Sequence, residues 1–121
     1  MRSSLVFVSM IGVSAAIAAS AFGQRTAVPT LNGTVGPGFT ITLKQNGKVV
    51  KTLKAGTYKF VIADKSSIHS FALDGPHGFA KDFTQVPFTG TKTLTLKLKA
   101  GKYKYYCQPH EVVMFGRFTV N

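Results

Sequence analysis

Short runs of alternating hydrophobic and polar residues constrain the fold of this chain more than any other feature of its sequence. Such runs occupy residues 39–43, 58–62 and 94–98, and their period of two indicates half-buried β-strands, because successive strand side chains point to opposite faces. Asn46 and Gly47 follow the first run and are a strong hairpin signal. Outside the apolar N-terminal segment, no run has the period of an amphipathic helix. The sequence therefore predicts an antiparallel β-sandwich or barrel of about seven short strands.

An internal repeat relates two of the predicted strands. Residues 98–107, LKAGKYKYYC, match residues 53–62, LKAGTYKFVI, at six of ten positions. The alignment places Cys107 where Ile62 stands, on the inward face of its strand. We therefore expect the thiol of Cys107 to point into the interior near the end of a strand.

The remaining segments are predicted from weaker signals. Phe39 is predicted to begin the first strand of the domain and to face inward. Residues 68–73 are predicted as a short strand that carries His69, and residues 115–120 as a closing strand. Residues 74–90 contain glycine, proline and aromatic residues without a clear period, so we expect a long connection with little regular structure.

The N-terminal segment has the layout of a secretory signal peptide. The chain starts Met-Arg, has no charged residue in 3–23, and has an apolar centre over residues 5–19; apolar cores of this kind are typically about 7 to 15 residues long. The sequence predicts a signal peptide at 1–23, a short tether at 24–35 and one domain at 36–121. The alternative is an uncleaved membrane anchor. Either reading places the domain outside the cytoplasm, in the periplasm or secreted.

The exported chain is strongly basic. From Gln24 onward it has 14 Lys and Arg against 4 Asp and Glu, a net charge of +10. Export makes nucleic acid an unexpected partner, so we expect acidic redox proteins or an anionic membrane surface, approached through long-range attraction that weakens with salt. The alternative is that the lysines only solvate the sheet. We expect a monomer.

A set of metal-binding side chains is concentrated near the C-terminus. Cys107, His110 and Met114 lie within eight residues of one another, and Cys107 is the only cysteine in the chain. One thiolate, two imidazoles and a weak axial thioether form the ligand set of a blue copper centre. His69, in the segment SSIHSF, is the leading candidate for the second imidazole. The predicted metal ligands are therefore His69, Cys107, His110 and Met114.

Each of these residues also has a structural interpretation. A lone buried cysteine is most often a small hydrophobic residue, and Met114 can equally be a core residue. His77, flanked by Gly78 and Pro76 in the irregular segment, is interpreted as a surface residue. It is the only reserve imidazole if His69 is not a ligand.

The segments LNGTVGPGFTITL, LKAGTYKFVIADKSSIHSF and YYCQPHEVVMFGRFTV resemble those of the cupredoxins, the small blue copper proteins that include plastocyanin, amicyanin and auracyanin. The resemblance covers about residues 31–121. It implies a Greek-key β-sandwich of seven to eight strands with one type 1 copper ion near one end, held by His69, Cys107, His110 and axial Met114. Two features depart from the family pattern. The H-x3-M spacing lies between the amicyanin-like and plastocyanin-like loops, and Ser70 stands where plastocyanin-like members often have asparagine.

Three functions are consistent with these residues. The first hypothesis is a one-electron carrier between extracytoplasmic redox partners, without enzyme activity, because the sequence has no paired carboxylates near the predicted metal. The second is a copper-binding or delivery protein that transfers no electrons. The third is a structural β-sandwich without metal.

Overall fold

The computed structural model describes residues 27–121, which form two packed β-sheets. The strands are β1 Thr30–Val35, β2 Ile41–Gln45, β3 Lys48–Val49, β4 Thr52–Leu53, β5 Gly56–Asp64, β6 Phe71–Asp74, β7 Ala80–Thr84, β8 Gly90–Leu98, β9 Gly101–Tyr106 and β10 Phe115–Val120. One sheet has the order β3-β2-β1-β5-β8 and the other has the order β4-β10-β9-β6-β7. The predicted all-β sandwich is confirmed, with ten strands in the described part of the chain.

Both sheets are mixed, although the sequence predicts antiparallel pairing. Strand β1 pairs antiparallel with β2 but parallel with β5, and β10 pairs antiparallel with β9 but parallel with β4. The parallel pairs join strands that are not consecutive in the chain, so no hairpin signal in the sequence could indicate them. The longest pairing, between β5 and β8, is antiparallel over nine residue pairs.

The predicted tether at 24–35 is wrong for its second half, because residues 30–35 form β1 in the middle of a sheet. Leu31 and Val35 are fully buried. The inward position between them is Gly33, whose Cα faces the side chains of Ile62 and Phe71. A glycine contributes no hydrophobic signal, so the alternation of this strand is hidden in the sequence. The predicted signal peptide lies outside the described residues.

Two further segments differ from their predictions. Strand β6 begins at Phe71, so His69 lies in the loop before the strand, where its N–H donates to the carbonyl oxygen of Ser66 at 3.2 Å. Residues 74–90 are more regular than predicted: they contain a short 3₁₀ helix, Pro76–Gly78, and β7. The first three residues of β7 are exposed at the edge of its sheet, so this strand has no hydrophobic alternation to detect.

The core lies between the two sheets and contains the predicted inward row of residues 58–62, whereas Ile41, Leu94 and Leu96 are only partly buried against it and Phe39 lies outside it. Its fully or almost fully buried hydrophobic residues include Leu31, Leu43, Tyr58, Phe60, Ile62, Phe71, Leu73, Leu98, Tyr103, Tyr105, Phe118 and Val120. Within residues 27–121 they form one hydrophobic cluster. No helix in residues 27–121 is long and apolar enough to cross a membrane.

The internal repeat forms the same tyrosine-closed turn twice, once before β5 in the first sheet and once before β9 in the second. The hydroxyl of Tyr58 donates to the carbonyl oxygen of Lys54 at 2.7 Å, and the hydroxyl of Tyr103 donates to that of Lys99 at 2.8 Å. Each tyrosine thus closes the turn that precedes its own strand. The repeat is therefore a structural unit that fixes the entry into β5 and β9.

Candidate metal centre

Cys107 is held at the end of β9 by hydrogen bonds from two directions. Its side chain is completely buried, as the inward position in the repeat predicts. Its backbone N–H donates to the carbonyl oxygen of Met114 at 3.0 Å, and the N–H of Ser70 donates to its Sγ at 3.3 Å. The position of the sulfur is therefore fixed by both its own strand and the loop that carries His69.

The loop after Cys107 is closed by backbone hydrogen bonds. A 3₁₀ helix spans Gln108–His110, in which Pro109 needs no hydrogen bond for its nitrogen. The N–H of His110 donates to the carbonyl oxygen of Cys107 at 3.1 Å, and the N–H of Met114 donates to that of His110 at 2.8 Å. These bonds place His110 on the same side of the loop as the thiol.

His69 reaches the same point from a different loop. It is fully buried, and its Cδ2 lies against Gly36, where an added Cβ would come within 3.2 Å of the ring. The hydroxyl oxygen of Ser70 accepts a hydrogen bond from the N–H of Gln108 at 2.9 Å. Ser70 therefore joins the loop of His69 to the loop of Cys107 and His110.

Three of the predicted ligands bring their donor atoms together. His69 Nδ1 lies 3.1 Å from His110 Nδ1, and Cys107 Sγ lies 3.8 Å and 3.5 Å from these two nitrogens. A triangle with sides of 3.1, 3.5 and 3.8 Å has a circumradius of about 2.0 Å. That radius is close to the metal–nitrogen distance of about 2.0–2.1 Å and somewhat below the metal–sulfur distance of about 2.3 Å known for zinc sites. The three atoms therefore fit around one transition-metal ion.

The other two candidate residues differ in position. Met114 is almost fully buried and packs in the core cluster at the start of β10, and its backbone is hydrogen-bonded to both Cys107 and His110. His77 is exposed in the first 3₁₀ helix, beside Tyr103 and Lys97 and outside the group of His69, Cys107 and His110.

Phe39 contributes to the site although the sequence predicts it as an inward strand residue. It precedes β2, is 61% exposed, and contacts both imidazoles edge to face, with ring centroids 5.2 Å from His69 and 5.0 Å from His110. The signal that could have located it is the preceding Gly36-Pro37-Gly38 sequence, which is typical of a loop. Phe39 therefore covers the two histidines from the β1–β2 loop.

The surface around His110 is apolar. His110 is itself partly exposed, and Val112 and Val113 in the same loop are 89% and 68% exposed. Ile68, next to His69, and Phe39 are exposed on the adjacent loops. These four hydrophobic side chains, which we call the apolar rim, are exposed on the three loops that meet at the donor atoms, and His110 is the only donor residue of the three that reaches the surface.

An acidic group lies beside the site, on the outer face of the second sheet. Burial, which is the largest cause, and the nearby carboxylates of Asp74, Glu111 and Asp82 together raise the pKa of Tyr106 to about 12. Asp82 also accepts a hydrogen bond from the amide of Gln108 at 3.0 Å. Three of the four side-chain carboxylates of residues 27–121 are therefore gathered around one tyrosine.

Comparison with known proteins identifies relatives of this fold and site. The sequence profile of the copper binding proteins of the plastocyanin/azurin family matches residues 32–121. No curated protein sequence matches the chain.

Solved structures of rusticyanin are similar to the chain. Rusticyanin from Thiobacillus ferrooxidans is 26% identical, with 76% of each chain covered and a TM-score of 0.51. A histidine-to-methionine variant of rusticyanin is 25% identical over 76% of each chain, with a TM-score of 0.54. Reduced rusticyanin is 22% identical over 76% of this chain and 78% of its own, with a TM-score of 0.55, which supports the fold alone.

Proposed function

The chain belongs to the copper-binding proteins of the plastocyanin/azurin family, and from this premise we propose that it carries single electrons between protein partners. A bound copper ion would supply the one-electron Cu(II)/Cu(I) couple. His69, Cys107 and His110 would form the His2Cys ligand set, with Met114 as the weak axial ligand. The observation that carries the proposal is the convergence of three donor atoms 3.1, 3.5 and 3.8 Å apart.

The hydrogen bonds around the proposed ligands support electron transfer because they restrict movement of the donor atoms. Cu(I) and Cu(II) favour different geometries, so each electron transferred tends to rearrange a flexible site. Here the sulfur of Cys107 accepts a bond from the Ser70 N–H, and the loop of His110 is closed by its own backbone bonds. Donor atoms fixed in this way would reduce the rearrangement that accompanies each electron.

The apolar rim supports His110 as the point where electrons enter or leave. Electron transfer needs a close approach between the partner and a ligand, and His110 is partly exposed while His69 and Cys107 are fully buried. Hydrophobic side chains around His110 lose water easily when a partner docks. The partner would therefore contact Phe39, Val112 and Val113 and lie close to the His110 ring.

The partners we propose are acidic redox proteins, and the chain acts as a monomer. The net charge of +10 from Gln24 onward favours acidic surfaces and would accelerate their approach at low salt. Nucleic acid is not proposed as a partner. The apolar leader at residues 1–23 supports a location outside the cytoplasm, in the periplasm or secreted, with the domain either free or anchored.

No enzyme activity is proposed. Four protein ligands would fill the coordination of a type 1 ion, whereas a catalytic metal site usually keeps an open position for water or substrate. The apolar rim and Ser70, which adjoin the donor triangle, offer no acid–base pair.

The visible spectrum of the copper-loaded domain tests the proposal. The domain from Gln24 onward, supplied with Cu(II), is expected to have an intense blue band from charge transfer between the Cys107 thiolate and copper. The band should disappear in Cys107→Ser and persist in His77→Ala, the matched control at the exposed histidine. A colourless protein, or a band that survives Cys107→Ser, would refute the electron-carrier proposal. Two further measurements distinguish an electron carrier from a copper delivery protein. In voltammetry, a carrier gives reversible, rapid reduction. In a competition with a chelator, a carrier retains its copper.

A further inference from the structure

Five exposed lysines gather at the end of the sandwich where the two repeat turns meet. They are Lys51, Lys54, Lys97, Lys99 and Lys102. The pairing of Gly56 with Leu98, and of Val120 with Gly101, brings the turns at 54–56 and 99–101 to the same end of the molecule. We call this end, formed by residues 51–56 and 97–102, the turn pole.

The internal repeat fixes two of these lysines in equivalent positions. Lys54 and Lys99 occupy the same position in the two LKAG turns, and each has its carbonyl oxygen held by the tyrosine four residues later. The backbone beneath the charges is therefore restrained, while the side chains extend into solvent. The copper-binding proposal makes no use of this repeat.

No side-chain carboxylate compensates the charge of the turn pole among residues 27–121, although the backbone of Asn121 is hydrogen-bonded to Leu53 and Ala55 there. Asp64 is buried at the opposite end of β5, and Asp74, Asp82 and Glu111 surround Tyr106. Within the described residues, the one ion pair is between Lys104 and Glu111, at 2.9 Å. The positive field of the turn pole is therefore directed outward.

The described part of the chain enters β1 on the side of the turn pole. The carbonyl oxygen of Pro29 accepts a hydrogen bond from the N–H of Lys59, three residues after the start of β5 at this pole. Residues 24–29 separate the leader from β1, and six extended residues span at most about 20 Å. Cys107 lies beyond the other end of β9, so the proposed copper site is at the opposite end of the molecule.

We propose that the turn pole binds an anionic lipid surface and holds the copper end away from it. Lysine ammonium groups are attracted to phosphate headgroups within about a Debye length of the membrane. The leader favours a membrane over an acidic protein, because a short tether keeps the turn pole beside any bilayer that the leader occupies. This inference goes beyond electron transfer and does not depend on copper.

Vesicle binding tests the proposal with two variants of equal charge. The first carries Lys54→Gln, Lys97→Gln and Lys99→Gln at the turn pole. The control carries Lys65→Gln, Lys81→Gln and Lys92→Gln, three exposed lysines outside it. The domain from Gln24 onward is sedimented with phosphatidylcholine vesicles that contain or lack phosphatidylglycerol.

We expect the unaltered domain to bind only the vesicles with phosphatidylglycerol. The turn-pole variant should bind these vesicles roughly 100-fold more weakly, about fivefold for each lysine. The affinity of the control variant should fall much less. Equal losses in both variants would show that only net charge matters and would overturn the proposal. Equal binding to neutral vesicles would overturn it too. The proposal would also be overturned if the domain bound poly-glutamate through the turn pole but did not bind vesicles. In that case the turn pole would be a binding site for acidic proteins.

Discussion

Replacing Ser70 by alanine should weaken the connection between the two loops that carry the proposed ligands. Ser70 is almost fully buried, and its hydroxyl oxygen accepts a hydrogen bond from the N–H of Gln108 at 2.9 Å. Alanine removes this acceptor and leaves the N–H without a partner, which costs about 1–2 kcal/mol. For a domain of this size that loss corresponds to a fall of roughly 5–15 °C in the melting temperature. Urea unfolding of the copper-free domain measures the free energy directly.

The matched control is Ser67→Ala, since Ser67 is an exposed serine in the same loop. It should change the free energy of unfolding by less than about 0.5 kcal/mol. Copper loss to a chelator should be faster in Ser70→Ala than in the control, because Gln108 lies between Cys107 and His110. If the two variants have the same stability and the same rate of copper loss, the reasoning about Ser70 is wrong.

Two further predictions concern a glycine and a tyrosine. Gly33→Ala should lower the free energy of unfolding by about 1–3 kcal/mol in urea, because its Cβ would overlap Ile62 and approach the Phe71 ring at 3.0 Å; Gly38→Ala, with open space, is the control, and equal effects would contradict the prediction. The phenol of Tyr106, whose pKa is raised to about 12, should titrate above its unfolded value of about 10. Its contribution to stability is therefore present below about pH 10 and lost between about pH 10 and 12. Ultraviolet titration against Tyr106→Phe checks this, and a difference centred at pH 10 would exclude it.

The strands that the sequence could predict are those with one buried face and large side chains. The row of Tyr58, Phe60 and Ile62 in β5 is buried as its alternation indicates. Hydrophobic alternation does not indicate β1, because its central inward residue is Gly33, or β7, because its edge position leaves most of it exposed. Both failures have one cause: hydrophobic alternation reports burial of side chains, and a strand can pair through its backbone without it.

The site was predictable where its residues share a loop and less so where they come from different loops. The spacing of Cys107 and His110 is local, and the repeat fixed the direction of the thiol. No local spacing indicates His69, since the pairing that brings it to Cys107 spans 38 residues; the segment SSIHSF and the family resemblance indicate it instead. The alternation of Phe39 with Ile41 predicts an interior position for Phe39, but β2 begins only at Ile41. No local sequence pattern could indicate that the ring of Phe39 contacts the imidazoles of His69 and His110.

The closed backbone of the loop between β9 and β10 has a consequence for how the protein withstands copper scarcity. Small zinc domains unfold when they lose their ion, because the ion replaces a core that they lack. Here the core lies between the two sheets, and the bonds from His110 to Cys107 and from Met114 to His110 join protein groups to each other. A molecule that gives up its ion would keep its shape and could be reloaded. When copper is scarce, the protein would therefore be inactive but would remain folded.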